Sequence, residues 1–291
     1  MEIHCGSAVV RAGRILMFVA ALSLVLAANL GAQGRDNAQR PATRTPRAAA
    51  LKDLTGYWVS IVTEDWRIRM IVPDKSDYVT VPLNAEGQKV ADTWDPAKDQ
   101  ADGNQCRSYG AAAILRVPGR LHIYWQDDST LRIDTDSGTQ TRLLHFGGPA
   151  AESKAPEWQG YSAASWGGNE PVDQRAGGGG PVLQGGLDST GAPPELRKEG
   201  QGARGYLKVI TTQMRPGYLR KNGVPYSGNA TMEEFFDRFS DPYGGDTWLV
   251  VTTVVTDPQY LLEPFIIHAH FKKIPDGSGW DPTPCRADQP R

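Results

Sequence analysis

Residues 120–146, "RLHIYWQDDSTLRIDTDSGTQTRLLHF", limit the fold more than any other stretch of this chain. Three segments rich in β-branched, aromatic and leucine residues are parted by Asp-Asp-Ser-Thr and Asp-Ser-Gly. A chain that meets turn formers about every ten residues folds back on itself as an antiparallel meander. "AAILRVPG" (112–119), closed by Pro-Gly, reads as a further strand just before it. Upstream, "GYWVSIVT" (56–63) and "WRIRMIVP" (66–73) read as a hairpin across Glu64-Asp65. "NAEGQKVADTWDP" (84–96) reads as a short helix, with Asn84 as N-cap, Val90 and Trp94 spaced i, i+4, and an end before Pro96. Downstream strands are "GYLKVITTQM" (205–214), "TWLVVTTVV" (247–255) and "PFIIHAHFKK" (264–273), with "ATMEEFFDRF" (230–239) a strand or short helix. Strands do not alternate with helices, so a parallel sheet is not expected. The expectation is an all-β fold: a single antiparallel barrel of about 230 residues with one or two short helices.

Composition agrees with such a fold. The 291 residues include 32 Gly and 21 Pro, with 40% apolar residues, a turn-rich globular balance. A net charge of -2 offers nucleic acid no electrostatic attraction. At the N-terminus, Arg11 and Arg14 precede the uncharged run "ILMFVAALSLVLAA" (15–28), and small residues follow. This is the pattern of a secretory signal over 1–32, cut after Ala32. The alternative is an uncleaved anchor, although the run is short for a span of about 20 residues; only in that case would the chain have a membrane partner. Residues 33–50 read as a disordered linker and 51–291 as the barrel domain, with a flexible Gly-rich insert at about 168–204. Cys5 lies before the apolar run. Export would leave Cys106 and Cys285, for which a single intramolecular disulfide is possible, the alternative being two free thiols.

"LTGYWV" (54–59) resembles the opening strand of lipocalin-like barrels, with Gly56 and Trp58 in the family's Gly-x-Trp positions. In that family the Trp plugs the closed end. A longer ordered pattern comprises Cys106 and Gly110, "TRLLHF", "GYSAASW", "LKVITT", "NGVPYSGNATMEEFFDRF" and "VVTTVVTDPQYLLEPF", within residues 55–273. It is similar to a group of secreted, uncharacterised bacterial proteins with lipocalin-like β-barrels. The Gly-rich insert after Trp166 departs from that pattern. The resemblance implies a barrel and export, and carries over no catalytic mechanism.

Several residues could carry chemistry. On a strand, His268 and His270 share a face and could offer two imidazoles to a divalent transition metal, with His145 or His122 as further ligands. The opposite face, Phe265, Ile267 and Phe271, is the more apolar, so the simple reading buries that face and leaves the histidines outside without a metal. Glu234, between Met232 and Phe236 on one strand face, could point into the barrel as a general acid or base, or be paired by Arg238 or an arginine of "WRIRM". Arg67 and Arg69 alternate with Trp66, Ile68 and Met70 and could grip a carboxylate or phosphate. The segments "WQGYSAASW" and "MRPGYLRKNGVPYSGN" carry Trp158, Tyr161, Trp166, Tyr218 and Tyr226, aromatic residues suited to the rim of a barrel mouth. The expected function is therefore binding of a small, partly apolar ligand in the barrel by Trp58, Trp66, Arg67, Arg69 and these aromatics, with no cofactor. The alternatives are an exported enzyme acting on a small molecule or glycan through Glu234 or a histidine-bound metal, and an interaction protein acting through the 168–204 insert. The sequence contains no Walker loop, dinucleotide fingerprint, Cys-x-x-Cys or Gly-x-Ser-x-Gly motif.

Overall fold

Nine strands close into a barrel in the computed structural model, which describes residues 44–148, 155–168, 205–241 and 243–288. The expected signal segment, Cys5 and nearly all of the Gly-rich insert lie outside the described residues. The barrel strands are β1 (Gly56–Ile61), β2 (Arg120–Trp125), β3 (Thr130–Thr135), β4 (Gln140–Phe146), β5 (Tyr161–Gly167), β6 (Tyr206–Thr212), β9 (Thr231–Ser240), β10 (Thr247–Thr256) and β11 (Phe265–Ile274). A separate two-residue pair, β7 (Gly217–Tyr218) and β8 (Pro225–Tyr226), belongs to a loop. The order around the ring is β1-β11-β10-β9-β6-β5-β4-β3-β2. Period-two alternation sends one face of each strand inward. Trp58, Ile123, Ile133, Leu144, Val209, Phe236, Val251 and Phe271 fill the interior and are buried.

The all-β barrel expectation holds, but the barrel is not purely antiparallel. β4 and β5 pair in parallel, Leu144 opposite Ser162 and Phe146 opposite Ala164. β5 therefore starts at the end of the barrel where β4 began. Period-two alternation specifies faces, not strand direction, so the sequence pattern could not reveal this crossing. The segment "ATMEEFFDRF" resolves as strand β9.

Two expected strands are helices. Trp66–Met70 is α1, and Ala111–Ile114 is α4. β1 already pairs with β11 and β2 on its two edges, so no ladder position is open to residues 66–73. On α1 the buried residues are adjacent, Ile68 and Arg69, while Trp66 and Met70, one turn apart, face outward. A short apolar run such as "AAAI" does not itself distinguish a buried helix from a strand, and in α4 all four residues are buried. The expected helix is present as α2 (Ala85–Asp92), with the Asn84 side chain accepting from Gly87 N–H at 2.8 Å. It stops earlier than expected, and Pro96 opens a further helix, α3 (Pro96–Ala101), capped by Asp95. The described residues thus hold four short α-helices and two 3-10 turns, where one or two short helices were expected. Inside the expected linker, Arg47 N–H donates to Asp128 O at 3.0 Å, so the barrel is joined by chain before Leu51.

Most of these helices, the 3-10 turn Arg107–Tyr109 and the β7–β8 loop gather at one end of the barrel, where β1 finishes and β2 starts. They form a lid with its own apolar core, including Leu83, Ala112, Leu219, Tyr226, Met232 and Phe265. Cys106 and Cys285 are joined by a disulfide with Cα atoms 5.1 Å apart, tying the C-terminal segment to the lid. No helix among the described residues is long and apolar enough to cross a membrane.

Candidate functional site

The β7–β8 loop places basic side chains under the lid. Leu219 N–H donates to Val224 O at 2.7 Å, closing a tight turn over Arg220, Lys221, Asn222 and Gly223. Gly223 has φ +81°, and a Cβ there would lie 2.2 Å from the Trp94 ring, so this position requires glycine. Asn222 donates to the carbonyl oxygens of Asp74 and Asp77 at 3.0 and 3.1 Å. Farther along, Ser227 N–H and Oγ donate to the Asp257 carboxylate at 2.6 and 2.8 Å. These bonds hold the loop before any ligand arrives.

The loop faces α1 and α4 across a small cavity lined by Ile68, Arg69, Ala113, Arg116, Arg220 and Lys221, among others. Its volume is about 20 Å³, counted as space open to the centre of a water-sized sphere. Taken as a sphere and widened by a water radius of ~1.4 Å, this has a radius of roughly 3 Å, room for a compact oxyanion. Four cations line it, and all are buried: Arg69 is 2%, Arg220 3% and Lys221 8% exposed, with Arg116 similar. Two have acidic partners. Arg69 reaches Glu64 at 3.4 Å and Arg116 reaches Asp65 at 2.8 Å. Arg220 donates through Nη2 to Thr80 Oγ1, while its Nε and Nη1 have no hydrogen-bond partner. Among the described residues, neither Arg220 nor Lys221 forms an ion pair within 4.0 Å.

The imbalance shows in the acidities. Burial, with Arg116 close by, lowers the Arg69 pKa to about 10 against the opposing charges of Glu64 and Asp65, and the same two causes lower that of Arg220 to about 10 against Asp65 and Asp77. Burial, then the Arg69 charge, lowers Lys221 to about 8. Each cation is held where water solvates it poorly and other cations repel it. An oxyanion in the cavity would offset both effects by favouring the charged form of each cation.

The residues expected from sequence fall in different places. Only Arg69 belongs to this cavity. Arg67 does not share its face, because on a helix residues i and i+2 diverge; it turns outward to Asp77 at 2.7 Å. Trp66 is 66% exposed. Trp58 is fully buried, donating through Nε1 to Leu54 O at 3.0 Å, and serves as barrel core. Tyr218 is bonded to Asp99 at 2.7 Å and Arg107 at 2.9 Å, and burial raises its hydroxyl pKa above the usual value. Tyr226 packs in the lid core. Trp158, toward the lid end, carries the Arg215 guanidinium 4.2 Å above its ring. Trp166 donates to Pro46 O at 3.2 Å at the opposite end of the barrel, and Tyr161 stacks on His145. These aromatics do not converge on one rim.

Glu234 points into the barrel as expected, but Arg142 of β4 grips it, rather than Arg238 or an arginine of α1. The guanidinium donates to both carboxylate oxygens, at 3.0 and 2.6 Å, and both side chains are fully buried. Ser162 and Thr211 flank the pair. The histidines do not converge either. His268 meets Thr252 and His270 meets Thr63 and Glu64 on the outer face, while Phe265, Ile267 and Phe271 are buried. His122 stacks on Tyr57, and burial lowers its basicity. Tyr57 and Ile61 on β1 face His122 and His270 respectively, so these imidazoles are ~13 Å apart along the strands alone. His145 lies on β4, four strands around the ring from β11. Among the described residues no three His, Cys, Asp or Glu side chains are grouped to hold a metal.

Arg116, Arg220 and Lys221 are not among the residues that the sequence pattern singles out. The one signal for Arg220 and Lys221 is "LRKN" within a tight turn between tyrosines, a stretch that reads equally well as part of an aromatic rim; Arg116 has none. No protein-family model, curated protein or solved structure matches this chain.

Proposed function

We propose that this protein is an exported binder of a small, partly apolar anion, and that its site is the lid cavity rather than the barrel interior. One observation carries the reading: two buried cations, Arg220 and Lys221, face a cavity without acidic partners. Burying an unpaired charge costs several kcal/mol, and a bound anion offsets that cost. Ile68, Ala113, Val117 and Leu219 complete the wall and suit a short apolar substituent beside a carboxylate or phosphate. The interior side chains of the barrel pack against one another at 0–1% exposure in the middle layers, for example Ile123, Ile133 and Val251, which argues against a ligand there. Export is supported by the disulfide, a bond that persists in oxidising compartments, and by the signal-like N-terminus.

Thermal unfolding in zwitterionic buffer at constant ionic strength tests the proposal. Phosphate, sulfate or a short carboxylate should raise the melting temperature well beyond chloride, by an amount equivalent to about 2.7 kcal/mol at one hundred times Kd. Arg220→Met should abolish the rise. If every anion acts no more strongly than chloride on the wild-type protein, the anion-binding reading is wrong.

A further inference from the structure

Lys221 differs from the other lysines of the fold. Lys52, Lys98, Lys208 and Lys272 each have an acidic partner, Lys273 lies over the Trp58 ring, and Lys75 and Lys89 are exposed. Lys221 is the only lysine buried among the described residues, and no acid or hydrogen-bond acceptor there holds its ammonium. The charge that acts on it is the Arg69 guanidinium of α1, itself paired with Glu64; Arg116, paired with Asp65, and Arg220 line the same cavity. An amine with cationic neighbours and apolar walls is favoured in its neutral, nucleophilic form. The same cavity offers a carboxylate the unpartnered Nε and Nη1 of Arg220, with Arg69, held by Arg116 O, Glu64 and Ser60, adding its charge. A nucleophile and an oxyanion clamp thus share one small space.

We infer that Lys221 is a covalent capture site for small 2-oxo acids, binding them as an imine. This rests on the anion-binding reading and names the ligand class for that same cavity. The carboxylate pairs with the guanidinium groups, placing the adjacent carbonyl carbon next to Lys221 Nζ. The nitrogen lone pair forms a C–N bond while the carbonyl π pair moves to oxygen, which takes a proton. The nitrogen loses one proton to give the carbinolamine, whose hydroxyl then takes a proton and leaves as water while the nitrogen lone pair forms the C=N bond and the second N–H proton is released. The products are the imine and one water, with no oxidant or reductant required. The reaction is reversible, so hydrolysis releases the oxo acid intact. Compactness of the cavity favours the smallest members of the class, glyoxylate and pyruvate.

Reductive trapping tests this on the full-length mature protein. Glyoxylate is added with cyanoborohydride at pH 7.5, for a time that modifies few surface lysines, and all lysines are quantified by peptide mapping. Carboxymethyl-lysine should accumulate at Lys221 at least tenfold faster than at the typical exposed lysine. Inorganic phosphate should suppress it there and nowhere else, and acetaldehyde, which lacks the carboxylate, should label Lys221 more slowly. Labelling of Lys221 at or below the surface rate overturns the inference, as does equal labelling by acetaldehyde. Phosphate stabilisation, measured separately by melting, distinguishes the two failures: stabilisation without labelling removes only the imine, whereas absence of both removes the anion site as well. The wild-type protein supplies every readout, so the outcome does not depend on whether a Lys221 variant folds.

Discussion

Replacing Lys221 with Met should stabilise the ligand-free protein at neutral pH, although it removes a residue from the proposed site. Met retains an unbranched apolar stem and removes the ammonium. In the fold the Lys221 pKa is lowered from 10.5 to about 8, chiefly by burial and then by Arg69. At ~1.36 kcal/mol per unit, the penalty carried by the charged form is about 3 kcal/mol. Between pH 8 and 10.5 the unfolded chain binds the proton that the folded chain has released, so wild-type stability rises with pH across this window. The penalty is present in full below about pH 8 and has vanished above 10.5. The variant lacks this component, so its advantage should be largest at pH 7 and shrink toward pH 10. For a domain of this size, about 3 kcal/mol corresponds to a melting shift of roughly 5–10 °C. The assay is urea unfolding of both proteins from pH 6 to 10 in anion-poor zwitterionic buffer; guanidinium chloride is avoided because it adds salt. Arg69 and Arg220 are present in both proteins, so their contributions cancel to first order in the difference. A variant less stable than wild type at pH 7, or a difference that does not change between pH 7 and 10, would refute the view of Lys221 as a buried, uncompensated cation. Phosphate should reverse the order by stabilising the wild type more than the variant.

Two further outcomes follow from the barrel and its bridge. Arg142→Met or Glu234→Gln alone leaves its partner buried and unpaired, and should cost about 3–5 kcal/mol in urea unfolding; the double substitution Arg142→Met with Glu234→Leu should recover most of that loss, as a buried pair replaced by packed apolar side chains does. Replacing Cys106 and Cys285 with Ser removes a crosslink between residues 179 apart in sequence, for which loop entropy sets an upper bound of about 5 kcal/mol. Melting should drop markedly, while phosphate binding measured below the new transition stays within a few fold.

What the sequence determined by itself is the part governed by period and local turn chemistry. Alternation in "RLHIYW", "TLRIDT" and "FIIHAHF" put Ile123, Ile133, Ile267 and Phe271 inside and left His268 outside, because a strand has two faces and burial selects the apolar one. Asn84 marked the start of α2 because its side chain can cap a helix locally. Tertiary structure decided the rest. "WRIRM" alternates like a strand but became α1, because both edges of β1 were taken and ladder hydrogen bonds are satisfied only between partners. Glu234 points inward as its alternation required, yet its partner Arg142 is 92 residues away, a meeting set by closure of the barrel. The proposed site depends most on tertiary structure. Arg69, Arg116, Arg220 and Lys221 come from three separate segments, and each alone has the composition of a solvated surface residue. Burial makes these ordinary cations a site, and burial is a property of the packed lid rather than of any segment that contributes to it.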